Sequence, residues 1–134
     1  ELVDDYVQTA GWNMDALFIP QDHPAREMQD TFYLDNPRKV ELDPKILKDW
    51  KAIHEHGGNT QSTGWGGEFS EEISQKGLLR THTTVNTIQY LAQNPTEPCR
   101  MFAIDRVFRK ESIDRTHLPE FHQIEGIIME PGAS

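Results

Sequence analysis

The sequence is poor in cysteine, in basic residues and in long apolar runs. Cys99 is the one cysteine among 134 residues, which excludes an internal disulfide framework and fits a reducing compartment. Thirteen Lys and Arg stand against 22 Asp and Glu, a formal net charge of -9. This charge argues against a self-sufficient nucleic-acid binder, which needs basic surface to release counterions from phosphates. No apolar run approaches the roughly 18 residues of a membrane helix, so we expect a cytoplasmic protein without a membrane partner.

Several catalytic and metal-binding patterns are also missing. There is no Gly-x-x-x-x-Gly-Lys loop, so a nucleotide bound here would be held by arginines and magnesium. No Ser-His-Asp or Cys-His arrangement can be placed. His117, His122 and Glu125 lack a zinc-ligand spacing, and strand alternation turns His122 away from Glu125. We therefore predict no protein-held metal site.

The first half of the chain predicts irregular structure followed by a helix. The first 40 residues lack helical periodicity, and we predict a strand only around 30–34. Asp43 and Pro44 are typical of a helix start, and Gly57 is typical of its end. One face of this helix carries the apolar residues Ile46, Leu47, Trp50 and Ile53.

A glycine-rich segment follows, from Gly57 to Glu68. It holds five of the nine glycines together with Asn, Gln, Ser and Thr. Such a composition buries little apolar area, so residues 57–68 are predicted to be a mobile insertion or lid. Trp65 lies alone within it and is expected to pack back onto the body, although contact with a substrate stays open.

A strand and a helix are predicted next. Ser70 begins a short helix that Gly77 closes, a strand runs over 78–84, and an amphipathic helix follows until Asn94-Pro95. His82 and Thr84 would share a face at the end of the strand, beside helix amides that favour anions. The alternative is that Thr83 or Thr84 only caps the helix and that His82 fills a core niche.

The most informative segment is a hairpin over 107–126. Arg109 and Glu111 share one strand face, and the returning strand places Gln123, Glu125 and Ile127 on one face. If the register aligns them, a cation, two carboxylates and an amide converge within about 5 Å, which suits a zwitterion together with a phosphate. The connecting loop 112–119 is longer than the usual two to five residues or so, which is typical of functional or disordered loops.

Three segments of the chain resemble a known family. Phe108-Arg109-Lys110-Glu111 and Phe121-His122-Gln123-Ile124-Glu125-Gly126 resemble motif 2 of class II aminoacyl-tRNA synthetases. The runs at 23–32 and 79–84, His-Pro-Ala-Arg-Glu-Met-Gln-Asp-Thr-Phe and Leu-Arg-Thr-His-Thr-Thr, resemble phenylalanyl-tRNA synthetase alpha subunits of the archaeal or eukaryotic type. The resemblance implies an α+β fold, a class II antiparallel sheet flanked by helices, with residues 1–134 as a partial catalytic domain.

The resemblance also implies roles for individual residues. Arg109 would contact the α-phosphate and the attacking carboxylate, Glu111 the adenine or the substrate ammonium, and His117 the ATP phosphates. The amino acid would be bound by Gln123 and Glu125 through its ammonium, with the further lining residues His82, Thr84 and Gln29.

The implied reaction is the ATP- and Mg²⁺-dependent activation of phenylalanine and its transfer to tRNA(Phe), in a heterotetramer with a β subunit. One alternative is a phosphoserine-activating sister enzyme, and another is a non-catalytic paralogue or fragment that binds a partner subunit. Motif 3 is not found before Ser134, so we expect the 134 residues alone not to charge tRNA.

Overall fold

The computed structural model describes residues 5–27, 30–110 and 114–133. Four helices and four strands are named in chain order as follows: β1 Val7–Thr9, α1 Ala10–Asn13, α2 Pro44–His56, α3 Glu71–Ser74, β2 Gly77–Leu79, α4 Thr84–Gln93, β3 Cys99–Phe108 and β4 Glu120–Met129. The strands form two antiparallel two-stranded sheets, β1 with β2 and β3 with β4. The α+β class predicted from the resemblance is confirmed.

Helix α2 confirms the start and end that its sequence predicts. The Asp43 carboxylate accepts from the Lys45 amide at 2.9 Å, and Pro44 occupies the first helical position. Gly57 ends the helix in the left-handed conformation with φ 86°, where a side chain would be strained. Leu47 and Trp50 are buried on the face that the apolar pattern indicates.

The core lies between α1 and α2. Trp50 packs with Ala16, Leu47 and Phe69, and its ring meets Trp12 edge to face at 5.1 Å between centroids. Gly11 permits this approach, because a Cβ there would lie 2.6 Å from the Trp50 ring. Short helix α1 is therefore held firmly by its neighbours even though it spans only four residues.

The predicted strand over 78–84 is confirmed only at 78–79 and is wrong over 80–84. Only Gly77–Leu79 form β2, and Thr84 already begins α4. The ladder ends because β1, its partner, is three residues long, and the next carbonyl, of Arg80, accepts from the Phe108 amide instead. His82 and Thr84 therefore do not share a strand face.

The predicted strand at 30–34 is also wrong, because only Tyr33 makes an isolated bridge, to Leu78. A single bridge is too short to form a ladder. In the same region, the predictions also missed β1 and α1, whose residues lie in the part expected to be irregular.

The β3–β4 hairpin is longer than predicted and begins at Cys99. Its register places Ala103 opposite Glu125 and Asp105 opposite Gln123. Arg80, whose side chain is fully buried, fixes the hairpin to the body: it donates to the Arg106 carbonyl at 2.8 Å and pairs with Asp105 at 2.7 Å. The hairpin thereby lies against the start of α4.

Residues 57–68 contain no helix or strand. The Trp65 backbone donates to the His54 carbonyl at 2.6 Å, and its indole donates to the Phe18 carbonyl at 3.1 Å, although the side chain is 61% exposed. The segment thus borders α2, beside a cavity of about 510 Å³ that is lined by residues including His54 and Trp65. Its mobility remains a prediction. No helix of the described ranges is long and apolar enough to cross a membrane.

Candidate active site

The inward face of β4 carries two polar side chains that meet the start of α4. Gln123 and Glu125 are half-buried, whereas their neighbours His122 and Ile124 point outward. This alternation follows from the strand period of two and confirms that Gln123 and Glu125 share a face. Ala103, directly opposite Glu125, is fully buried and small, so it leaves room for the carboxylate.

Threonines at the start of α4 hold both side chains. The Thr83 amide donates to the Gln123 side-chain oxygen at 2.9 Å, and this amide is one of the donors that a helix start leaves without an intrahelical partner. Thr84 and Thr87, one turn apart, donate their hydroxyls to the two Glu125 oxygens at 2.5 and 2.9 Å. Thr84 thus bonds Glu125 from the helix, which replaces the predicted strand position.

His82 lies beside this pair with one ring nitrogen engaged. Its Nε2 donates to the Asn13 carbonyl at 2.9 Å, and because a carbonyl only accepts, the hydrogen is on Nε2. Nδ1 is buried and has no hydrogen-bond partner in the described part of the chain. Burial lowers the pKa of His82, and nearby Arg109 adds to this, while the bond to Asn13 and the charge of Glu125 oppose it. The neutral ring therefore presents Nδ1 as an acceptor at neutral pH.

Arg109 borders the same site from the end of β3. Its Nε donates to the Thr81 carbonyl at 3.1 Å, and its guanidinium lies 5.3 Å from the centroid of the Phe121 ring. Phe121 precedes Gln123 on the same strand face, so Arg109 lies next to the Gln123 and Glu125 pair and not directly opposite it.

The loop between the strands forms a separate local cluster of Asp114, Thr116 and His117, called here the loop group. One Asp114 oxygen accepts from the Thr116 amide at 2.7 Å, from the His117 amide at 2.9 Å and from His117 Nδ1 at 2.8 Å. The Thr116 amide, followed by the His117 and Thr116 side chains, holds the pKa of Asp114 well below its usual range. All three residues are exposed.

The structure therefore brings four of the predicted site residues together, called here the inner group: His82, Thr84, Gln123 and Glu125. Arg109 lies beside the inner group, whereas His117 lies in the exposed loop group. Glu111 and Gln29 lie outside the described residues.

Sequence reasoning missed several residues that hold this site. Thr87 follows Thr84 by three positions, a helical spacing that would have identified it once α4 was placed correctly. Asn13 and Thr81 are 68 residues apart, and no local pattern pairs them.

Metal binding by the described residues would need a cluster of suitable side chains. Ranges 5–27, 30–110 and 114–133 contain no group of three or more His, Cys, Asp or Glu side chains that could hold an ion. The arrangement is suited instead to an organic zwitterion. Glu125, Gln123 and His82 Nδ1 offer acceptors to an ammonium, and Arg109 offers donors to an adjacent carboxylate or phosphate.

Comparisons with known proteins identify the family of the chain. The family described as tRNA synthetases class II core domain (F) matches residues 1–134. The chain is 58% identical to a phenylalanine–tRNA ligase alpha subunit of Archaeoglobus fulgidus over 97% of its own length and 27% of that protein. It is 48% identical to the Thermoplasma volcanium alpha subunit over 100% of its length and 28% of that protein. It is 49% identical to the Schizosaccharomyces pombe alpha subunit over 92% and 26% of the two chains. It spans about a quarter of the length of these relatives.

Proposed function

The chain belongs to the class II tRNA synthetase core domain family, and from that membership we propose that it forms part of the catalytic domain of a phenylalanine–tRNA ligase alpha subunit. The proposed activity is the ATP-dependent activation of phenylalanine and its transfer to tRNA(Phe). The names of the relatives support the choice of amino acid, and the contacts of the inner group support the chemistry.

The observation that carries the proposal is a carboxylate and an imidazole acceptor placed beside a guanidinium. Glu125 supplies the negative charge for the ammonium of the amino acid. His82 Nδ1 would accept from a second ammonium N–H, and the Gln123 oxygen, which the Thr83 hydroxyl approaches only at 3.5 Å, would accept from the third. The threonine contacts orient these acceptors before any ligand arrives, which lowers the ordering cost of binding.

Arg109 would act on the other end of the amino acid. A guanidinium stays charged at all working pH values and binds carboxylate or phosphate through two donors. It would orient the carboxylate oxygen for attack on the α-phosphorus of ATP, after which the bond to pyrophosphate breaks and the aminoacyl adenylate forms. The 2'-hydroxyl of the terminal tRNA adenosine then displaces AMP. These steps need orientation and electrostatic stabilisation and no protein nucleophile.

ATP itself would also contact residues of the hairpin loop. By resemblance, His117 would contact its phosphates, and Glu111, outside the described residues, would contact the adenine or the ammonium. Since the described residues form no metal-binding cluster, we propose Mg²⁺ as an ion that accompanies the ATP phosphates.

The proposed partners follow from the same family. The relatives are named alpha subunits, so we propose a β subunit as partner, in a heterotetramer, and a cytoplasmic location. The net charge of -9 means that most of the basic surface for tRNA lies outside these 134 residues.

ATP–pyrophosphate exchange tests the proposal. The complete enzyme, meaning the full-length subunit with its partner subunit, is assayed with each amino acid and with phosphoserine. We expect exchange with phenylalanine. Exchange with phosphoserine alone would identify the phosphoserine-activating sister enzyme instead. The absence of exchange with every substrate would contradict the proposal and favour a non-catalytic binding role.

A further inference from the structure

Asn13 lies at the end of α1, outside the proposed binding surface, yet its side-chain amide and its backbone carbonyl bond to the segment that carries the site. It is fully buried. Its side-chain NH₂ donates to the Thr81 hydroxyl at 3.0 Å, and its side-chain oxygen accepts from the Thr81 amide at 3.1 Å. Its backbone carbonyl accepts from His82 Nε2 at 2.9 Å.

These contacts involve His82, which is proposed to bind the ammonium, and, through Thr81, Arg109, which is proposed to bind the carboxylate or phosphate. The Asn13 carbonyl leaves His82 with its hydrogen on Nε2, so that Nδ1 is an acceptor for the ammonium. Thr81, held by the Asn13 side chain at two points, accepts from Arg109 Nε through its own carbonyl at 3.1 Å. A shift of Thr81 would therefore move the arginine and the histidine together.

Packing makes Asn13 a firm support. Helix α1 is fixed against Trp50 by the close approach at Gly11, and Met14 is buried in a second cluster with Ala10 and Leu78. Residues 81–83 have no strand partner, because β2 ends at Leu79. Asn13 supplies to this short connection the bonds that a sheet ladder would have supplied.

We propose that Asn13 is a positioning residue that sets the geometry of His82 and, through Thr81, of Arg109. The proposal rests on the proposed function, since it assigns Asn13 to the amino-acid and phosphate sides of that same site. Asn13 touches no substrate in this scheme and acts only through its two neighbours.

The test uses Asn13→Ala in the complete enzyme, with KM and kcat measured separately by phenylalanine-dependent ATP–pyrophosphate exchange. The variant loses the two side-chain bonds to Thr81 but keeps the backbone carbonyl that accepts from His82. A shift of Thr81 would displace Arg109 and the adjacent His82, so KM for phenylalanine should rise and kcat should fall, for a loss of about tenfold or more in kcat/KM. Asn94→Ala is the matched control: it removes an asparagine bond to the Tyr90 carbonyl at the far end of α4 and should leave both constants unchanged.

A second variant keeps the test decisive if Asn13→Ala does not fold. Thr81→Val retains the shape and the backbone contact but removes the acceptor of the Asn13 amide, and it should change both constants in the same direction by a smaller factor. In the double variant the two losses should overlap and not multiply, because both remove the same contact.

The result that overturns the proposal is a folded Asn13→Ala or Thr81→Val enzyme with a lower melting temperature and unchanged KM and kcat, which would assign Asn13 to stability alone. Failure of the proposed function looks different, because the unmodified enzyme would then show no phenylalanine-dependent exchange.

Discussion

The inner group and the loop group are held in different ways, although each includes residues of the β3–β4 hairpin. Gln123 and Glu125 bond to residues 38 to 41 positions away, and His82 bonds to a residue 69 positions away. The Asp114 bonds to Thr116 and His117 span at most three positions, and these residues are exposed. The geometry of the inner group is thus a product of the tertiary fold, whereas the bonds around Asp114 are local.

This difference indicates what each group can contribute. A half-buried site that is already oriented spends little free energy on ordering when a ligand binds. An exposed loop interacts with its ligand in water, where charges are screened. Arg109, at the border of the two groups, is half-buried and fixed to Thr81. We therefore expect effects of substitution to decline from Arg109 through the inner group to the loop group.

The largest effect is expected for Arg109→Ala. Removing a charge-assisted phosphate contact that strengthens in the transition state should cost about 3 kcal/mol, or roughly a hundredfold in the rate of adenylate formation. The measurement is pyrophosphate exchange by the complete enzyme, with thermal unfolding as the control for stability. Near-normal exchange would remove Arg109 from the mechanism.

The next effect is expected for Glu125→Gln, which keeps the shape and removes the charge. Phenylalanine affinity should weaken by about 1.5 to 3 kcal/mol, since an ammonium loses its ionised partner, while ATP affinity hardly changes. Calorimetric titration of each ligand measures both. Thr87→Val is the matched control, because it removes a hydroxyl from the same carboxylate and leaves the charge. Equal losses for both ligands would mean that the inner group does not bind the amino acid.

A smaller effect on phenylalanine affinity is expected from pH, because pH should change the charge of His82 and not that of Asp114. The lowered pKa of His82 keeps its ring neutral at pH 7, and protonation of Nδ1 would place a cation beside the ammonium. Phenylalanine affinity should therefore be constant from pH 8 to about 6.5 and fall only below the ordinary histidine pKa, by up to about tenfold per pH unit. The Asp114 carboxylate should not follow, because its pKa is lowered and it stays charged throughout this range.

His82→Gln tests the origin of this pH dependence. Glutamine retains a donor for the Asn13 carbonyl but does not titrate. The phenylalanine affinity of the variant, although weaker, should therefore be independent of pH over the same range. A fall in the variant as steep as in the unmodified enzyme would assign the titration to another group.

Sequence reasoning could predict those features that depend on local periodicity. The caps of α2 and the alternation that turns Gln123 and Glu125 to one face follow from residues close together in the chain. The strand prediction is wrong over Arg80 to Thr84. The β-branched threonines in this run favour a strand, but the short partner strand and the start of α4 override that preference.

The supports of the site could not be predicted in this way. Asn13 meets Thr81 only because α1 packs on α2 and β2 pairs with β1, and each of these contacts depends on the whole fold. The roles of Arg109, His117 and the inner group came from the family resemblance and stay predictions until variants are measured.

The smallest effect is expected for His117→Ala. The side chain is exposed and bonds to Asp114 and Thr116, and solvent screening keeps an exposed charged contact weak. KM for ATP should therefore rise by no more than about fivefold, with KM for phenylalanine unchanged, as measured by exchange at varied ATP.

Asp114→Asn is the matched control: its amide oxygen still accepts from the loop backbone, so the loop is retained while the charge beside His117 is lost. Both variants should show small effects that shrink further as salt is raised, because screening acts on exposed charges. A hundredfold loss in His117→Ala, equal to that of Arg109→Ala, would show that the loop closes over ATP into a water-excluded site, and the contrast between the two groups would then hold only for the ligand-free protein.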